Sequence, residues 1–215
     1  MSDTGYGDFE FERRFLVQDL PTDLLEETPA LIVQAYFLAQ DGFALRMRVQ
    51  ASVPHGAVDL TLDERALLEA HLDEFDFCAL TAKGPMVEGT RYEAEREIDP
   101  TIGIEMVRRG AALVAKTRHA VWLGGDGWVV DVFGGANRPL VVAEVERGGP
   151  VTDLTIPTFC VTELTDDPRF SNDGLARAPF SGWAQAYGSE LAAQGPRFLQ
   201  GLGRNHVGGE QGPMP

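Results

Sequence analysis

Charged residues occupy alternate positions in a segment near the start of the chain, DFEFERRFL at residues 8–16. If this segment is a strand, its side chains alternate between two faces. Glu10, Glu12 and Arg14 then share one face, and phenylalanines occupy the other. Carboxylates bind hard metal ions, and cations beside them bind anions. A single strand of this kind could equally expose its charges to water.

The same alternation recurs in LRMRV at 45–49, RYEAERE at 91–97, AKTRH at 115–119 and VVAEVER at 141–147. Some segments carry pairs of carboxylates and others carry pairs of cations. We therefore expect a closed sheet whose polar lumen brings opposite charges together. The carboxylates expected in this lumen are Glu10, Glu12, Glu93, Glu95, Asp131, Glu144 and Glu146. The expected cations are Arg14, Arg46, Arg48, Lys83, Arg91, Lys116 and Arg118.

The two sets predict two binding properties. Carboxylates crowded in a closed space raise one another's pKa values, and a hard divalent cation, Mg²⁺ or Mn²⁺, would relieve this repulsion through oxygen ligands. The cations outnumber what one phosphate needs, so a linear chain of phosphates is the ligand that would use them all. The alternative is that carboxylates and cations pair only with one another, as a structural network.

Eight strand candidates indicate a mainly β protein of the α+β class, with a closed eight-stranded antiparallel barrel and a few flanking helices. Asp41–Gly42 predicts a hairpin turn between two of the strands. Helical patterns are expected at residues 20–28 (one short turn), 61–75, 101–110 and 179–194. We expect the helix at 61–75, with Thr61 or Asp63 as its N-cap, to cover one end of the barrel. The alternative is that it acts as a lid.

These motifs resemble those of the CYTH family, the triphosphate tunnel metalloenzymes. EFERRFL is similar to the ExExK strand that opens the family's domain. QAYF, LRMR, LTAKG, RYEAE, AKTR, DVF, AEVE and ELTDDPRFSN then follow in family order, across roughly residues 9–180. The family's final ExExK lysine is Arg14 here, which keeps the positive charge but cannot act as a proton carrier.

The resemblance implies metal-dependent chemistry on a triphosphate inside the barrel. It also matches Tyr36 in QAYF and Lys116 in AKTR to positions that activate water in family members that hydrolyse inorganic triphosphate. A lysine among other cations has a lowered pKa and could act as a general base. Tyr36 could instead be a packed strand aromatic, and Lys116 a purely electrostatic phosphate ligand.

Three functions of different classes remain open. The first is hydrolysis of inorganic tripolyphosphate to phosphate and pyrophosphate, of which thiamine triphosphate hydrolysis would be a variant. The second is a class IV type adenylate cyclase, which makes cyclic AMP and pyrophosphate from ATP. The third is a non-catalytic sensor of polyphosphate or nucleotide. Intact carboxylates on two strands favour the first over the third.

Composition limits the partners and the location. The formal net charge of −15 over 215 residues excludes the basic face of a nucleic-acid or anionic-membrane binder. We expect a cytoplasmic monomer or homodimer, because the sequence shows no signal peptide and no apolar stretch long enough to span a bilayer. Cys78 and Cys160 lack CxxC spacing and are expected to be buried thiols. Residues 1–192 are expected to form one domain, and the Gly- and Pro-rich residues 193–215 a disordered tail.

Overall fold

The structure of this chain, a computed structural model, describes residues 9–18, 25 and 28–207. The strands are β1 Phe9–Val17, β2 Ala30–Gln40, β3 Phe43–Ser52, β4 Phe77–Lys83, β5 Thr90–Glu97, β6 Ala112–Leu123, β7 Asp126–Phe133, β8 Val141–Arg147, β9 Thr155–Ile156, β10 Cys160–Glu163 and β11 His206–Val207. The helices are α1 Glu64–Ala70, α2 Pro100–Arg109, α3 Asn172–Arg177 and α4 Ala184–Gln194. Most of the helical turn predicted at residues 20–28 lies outside the described residues.

Eight strands close into an antiparallel barrel, as the sequence predicts. Their order around the ring is β1-β5-β4-β3-β2-β6-β7-β8, and β8 pairs with β1 to complete it. The predicted hairpin turn lies between β2 and β3, where Asp41 and Gly42 adopt φ angles of 53° and 82°. Gly42 also packs closely on the next hairpin, because a Cβ at this position would lie 2.9 Å from the Cβ of Pro85. Glycine therefore satisfies both the backbone conformation and the packing there.

Helices cover one outer side of the barrel and explain why the outward positions of those strands are apolar. Leu67 and Leu68 of α1 and Val107 of α2 pack with outward residues of β2 and β3, including Val33 and Val49. Asp63 is the N-cap of α1, as predicted, and its carboxylate accepts from the Ala66 amide. The expectation that this helix covers a barrel end is wrong, because its apolar face packs on the outer wall.

The opposite outer side is covered by the C-terminal part of the chain. Outward residues of β1 and β7, including Phe15 and Trp128, pack with Leu154, Cys160 and Phe198. Part of this cover lies in the range predicted as a disordered tail. Backbone bonds attach the described part of that range to the barrel domain: Glu163 donates to the Arg197 carbonyl, and β11 pairs with β9. Residues 208–215 of the predicted tail lie outside the described residues.

One end of the lumen is filled by apolar side chains. Val114, Phe133 and Val142 cluster there with Phe170 and Leu175. The latter two belong to residues 164–177, here called the plug. The plug contains the 3₁₀ turn Pro168–Phe170 and α3. The sequence motif ELTDDPRFSN supplies most of this segment. The barrel therefore encloses its charged groups above an apolar floor.

Two further expectations concern the cysteines and the membrane. Cys78 and Cys160 are free and buried, as predicted. Within the described residues, none of the helices combines the length and the apolar character needed to cross a membrane.

A buried ion pair fastens the C-terminal cover to β1. The Arg13 guanidinium, fully buried, donates two hydrogen bonds of 2.7 Å to the Glu163 carboxylate and one of 2.8 Å to Asn205. Removing one partner leaves an uncompensated buried charge, so Glu163→Ala should lower the free energy of unfolding by about 3–5 kcal/mol. Urea denaturation measures this loss.

The matched control is Glu190→Ala. Glu190 pairs with Arg169 at 2.9 Å, but both side chains are exposed, so its loss should cost less than about 1 kcal/mol. Equal costs for the two variants would show that the buried pair does not hold the cover in place.

Candidate active site in the barrel lumen

The lumen contains a cavity of about 560 Å³. Six carboxylates and six cations line it, all of them predicted from the sequence. The carboxylates are Glu10, Glu12, Glu93, Glu95, Glu144 and Glu146. The cations are Arg46, Arg48, Lys83, Arg91, Lys116 and Arg118. Because their formal charges cancel, a polyanion can be held only if cations accompany it or the carboxylates turn away from their partners.

Strand register places opposite charges side by side on β1, β4 and β5. Glu10 lies opposite Arg91, and Lys83 lies opposite Glu93. Arg91 Nε is 2.6 Å from Glu10 Oε2, and Lys83 Nζ is 3.3 Å from the same oxygen and 2.5 Å from Glu93 Oε2. Burial alone would raise the pKa of Glu10, but Lys83 and Arg91 outweigh it and hold that pKa far below its ordinary value. Burial, together with Arg46 and Arg91, lowers the pKa of Lys83.

Arg46 and Arg48 of β3 share the carboxylate of Glu95. Their Nη2 atoms lie 3.2 Å and 2.9 Å from its two oxygens, and Thr81 donates to it at 2.9 Å. The Nε–H groups of both arginines are buried and have no acceptor among the described residues. A buried donor without an acceptor is costly, and both arginines line the cavity. The hydrogen bonding of these two guanidinium groups is therefore incomplete among the described residues.

Asp131 organises the cations of β6. Its two oxygens each accept from Arg118 at 2.7 Å, and one also accepts from Lys116. Burial would raise the pKa of Asp131, but Arg118 and Lys116 outweigh it and lower that pKa to about 2. Burial lowers the pKa of Lys116, while Asp131 opposes this. Lys116 Nζ also donates to Asn172 Oδ1 at 3.2 Å, and Arg118 Nη2 donates to Glu144 at 2.7 Å.

Three predicted site residues lie behind the cavity wall instead of lining it: Arg14, Tyr36 and Asp131. Asp131 is fully buried and its oxygens are already bonded to Lys116 and Arg118. This geometry favours Asp131 as an organiser of cations over a direct metal ligand.

Arg14 contacts the plug. Its Nη1 donates to the Phe170 carbonyl at 3.0 Å and its Nη2 to the Thr165 carbonyl at 3.2 Å. Its Nε lies 3.6 Å from Glu12 Oε1. Two of its donors therefore hold the plug, which distinguishes Arg14 from the cations that line the cavity.

Tyr36 is buried where β2 carries a bulge, between Tyr36 and Leu38. Its hydroxyl accepts from Gln34 Nε2 at 3.1 Å. Burial raises the pKa of Tyr36, against the opposing effect of Arg46. Among the hydrogen bonds of the described residues, none joins Tyr36 to Lys116, so the two predicted catalytic groups do not act on each other directly.

The unpaired negative charge of the lumen lies between β1 and β8. Glu12 and Glu146 are directly opposite in the strand register, and like charges in this position repel. Burial and the neighbouring carboxylates Glu10 and Glu144 raise the pKa of Glu12, although Arg14 opposes them. Burial, Glu10 and Glu12 likewise raise the pKa of Glu146. Glu146 has no ion pair among the described residues.

This set of carboxylate oxygens suits a hard divalent cation, which would relieve the repulsion. Yet within the described part of the chain, no three or more His, Cys, Asp or Glu side chains are already arranged to hold an ion. Glu10, Glu12 and Glu144 are instead turned toward lumen cations. A metal ion would therefore bind together with an anion that takes over those cations.

The sequence alone assigns no role to three polar residues of the site: Gln34, Thr81 and Asn172. Gln34 and Thr81 follow the same strand alternation, but uncharged side chains gave no signal of their own. Asn172 lies in ELTDDPRFSN, a motif that was noted without any role for its individual residues.

The chain was also compared with known proteins. No family model matches the chain. An inorganic triphosphatase of Acetivibrio thermocellus is 31% identical over 108 residues, which cover 49% of this chain and 69% of that protein.

Two solved structures are also similar to the chain. An inorganic triphosphatase, NE1496, is 28% identical with a TM-score of 0.49 and covers 78% of this chain and 93% of its own. HpAC1 from Hippeastrum, studied as an adenylyl cyclase and found to have a dominant triphosphatase activity, is 16% identical with a TM-score of 0.39, covering 64% of this chain and 79% of its own. Both TM-scores are below 0.5, so neither structure adds to what the sequence relative indicates.

The repulsion at Glu146 predicts a pH-dependent gain in stability for Glu146→Gln. The pKa of Glu146 is raised in the folded state, so protonation favours folding and this carboxylate costs stability above that folded pKa. In EDTA near pH 7.5, Glu146→Gln should therefore melt at a higher temperature than the parent protein. The difference should shrink as the pH falls through the folded pKa toward the unfolded value of about 4.3. Calorimetry at several pH values measures it.

Asp73→Asn is the control, since it removes the same charge from an exposed turn outside the lumen. The assignment of repulsion to the β1–β8 pair fails if Asp73→Asn gives the same pH-dependent gain, or if Glu146→Gln gives none.

Proposed function

We propose that this chain is a divalent-metal-dependent triphosphatase whose substrate is inorganic tripolyphosphate. The premise is that the chain belongs to the CYTH family of triphosphate tunnel metalloenzymes. The observation that carries this proposal is that six cations and six carboxylates line one cavity, in which Arg46 and Arg48 have buried donors without acceptors among the described residues. The reaction takes up one water, cleaves a phosphoanhydride bond and releases phosphate, pyrophosphate and a proton.

The cations would hold the phosphate chain. Lys83 and Arg91 would exchange Glu93 and Glu10 for phosphate oxygens. Arg46 and Arg48, which line the cavity, would exchange Glu95 in the same way. Arginine suits this role because its planar fork binds phosphate in a bidentate manner. The phosphates would thus be fixed in line for attack, which is most of what phosphoryl transfer requires of a protein.

Glu10, Glu12, Glu144 and Glu146 are the residues that would hold the metal. When bound, Mg²⁺ or Mn²⁺ would supply positive charge that offsets the charge developing on the leaving group. Glu93 and Glu95, which face Lys83 and Arg48, would serve mainly to orient those cations.

Lys116 retains the catalytic assignment in this proposal, as an ammonium that stabilises charge and not as a general base, and Tyr36 becomes a positioning residue. Lys116 lines the cavity, so its ammonium can reach the reacting phosphate or the attacking water. Tyr36 lies one layer back and would act through Gln34, which donates a hydrogen bond to the Tyr36 hydroxyl and lines the cavity.

Inorganic triphosphate is favoured over a nucleotide by the composition of the wall. Of the described residues that line the cavity, Phe9 alone is aromatic. A nucleobase is commonly bound by stacking on aromatic side chains, whereas charged groups dominate this lining. We further propose a cytoplasmic location for the enzyme, consistent with its small-molecule substrate.

The function is tested by a turnover assay with tripolyphosphate, ATP and thiamine triphosphate, each with Mg²⁺, Mn²⁺ or EDTA. Phosphate, pyrophosphate and cyclic AMP are followed separately. We expect tripolyphosphate to be cleaved far faster than ATP and the activity to be lost in EDTA. Cyclic AMP formation would replace this function by a cyclase, and metal-dependent binding without product would leave a sensor.

Lys116→Ala tests the catalytic assignment. Because Lys116 would stabilise charge in the transition state, its loss should lower kcat on the order of 100-fold or more, with a smaller change in KM. Steady-state kinetics on tripolyphosphate measures both. Arg109→Ala, which removes an exposed cation from α2, is the control and should leave both constants unchanged. A rise in KM alone would make Lys116 a binding group.

A further inference from the structure

One residue of the cavity wall does not belong to the barrel. Of the described residues that line the cavity, Asn172 alone lies outside the strands, at the first position of α3 in the plug. The plug otherwise presents apolar side chains, Phe170 and Leu175, to the barrel end. The carboxamide of Asn172 is therefore a polar group that the plug contributes to the floor of the cavity.

The contact of Asn172 with Lys116 fixes the direction of its carboxamide. A lysine ammonium has three donors and no acceptor, so the group 3.2 Å from Lys116 Nζ must be the carbonyl oxygen Oδ1. The Nδ2 donors then point away from Lys116, and they have no partner among the described residues. Lys116 itself has a second acceptor in Asp131; its ammonium also lies 5.3 Å from the centroid of the Phe133 ring, and the residue lines the cavity.

The plug holds Asn172 rigidly. Ser171 caps α3 by accepting from the Gly174 amide at 3.1 Å. The preceding residues are fixed by Arg14, which donates to the carbonyls of Thr165 and Phe170. The carboxamide is thus presented to the lumen from a segment anchored on both sides.

We propose that Asn172 is a positioning residue, which holds the Lys116 ammonium at the floor of the cavity and directs its remaining N–H toward the bound phosphate chain. Asp131 holds the ammonium from one side and shares its oxygens with Arg118, and Asn172 adds a second, separate acceptor. The inference rests on the proposed triphosphatase function, and it gives the plug a role in the chemistry of the lumen.

The test uses Asn172→Ala, with two readouts. Misplacement of a reacting group by a small distance slows catalysis strongly, so kcat on tripolyphosphate should fall about tenfold or more while KM changes little. The chain contains only two lysines, Lys83 and Lys116, so [¹⁵N]lysine labelling gives two side-chain ammonium signals. The Lys116 signal, assigned through Lys116→Ala, should shift or broaden in Asn172→Ala, and the Lys83 signal should stay.

Arg177→Ala is the matched control within the same helix. It removes a bond to the Ala39 carbonyl and a pair with Asp173 but leaves the Lys116 contact, so kcat and the Lys116 signal should stay as in the parent protein. An unchanged kcat and Lys116 signal in Asn172→Ala would overturn the proposal, as would an equal loss in Arg177→Ala.

The two levels of inference fail separately. If the parent protein shows no turnover of tripolyphosphate, the proposed function fails. The Lys116 signal in Asn172→Ala then still reports whether the carboxamide positions that ammonium.

Discussion

Enclosing charge requires pairing it, and this constraint governs the whole lumen. A closed barrel removes its interior from bulk water, so a carboxylate or cation that lacks a partner there lowers the stability of the folded protein. The strand register provides partners for most of them, as for Lys83 between Glu10 and Glu93. The exceptions are informative: Glu146 has no ion pair among the described residues and lies opposite Glu12, and buried arginine donors lack acceptors there. A metal ion and a polyanion would complete both sets together.

The plug converts this lined barrel into a site with a floor. Apolar residues of the plug close one end, and Arg14, at the position of the family's lysine, is committed to holding it. The same segment presents Asn172 to Lys116. Contacts with residues far from β1 in sequence thus determine which of the alternating charged side chains face the cavity. The fold supports the chemistry through long-range contacts as much as through the strands.

The difference between local strand alternation and long-range packing explains which features the sequence could predict. Strand alternation is local, so the twelve charges lining the cavity and the barrel itself were predictable. The burial of Arg14 and Asp131 was not, because it depends on packing that no local pattern encodes; Arg14 and Thr165 are separated by 151 positions. The placement of α1 failed for a related reason, since an amphipathic pattern shows that a face is buried but not against what. Uncharged Asn172 carried no signal beyond its motif.

The most direct measurement is a calorimetric titration of the protein with an imido analogue of tripolyphosphate, which resists hydrolysis, in the presence and absence of Mg²⁺. If the lumen is charge-balanced on its own, each ligand alone must displace internal ion pairs and should bind weakly. Together they should bind much more tightly, with reciprocal coupling between the two. Equally tight binding of the analogue with and without Mg²⁺ would contradict a lumen in which metal and phosphate chain complete one charge balance.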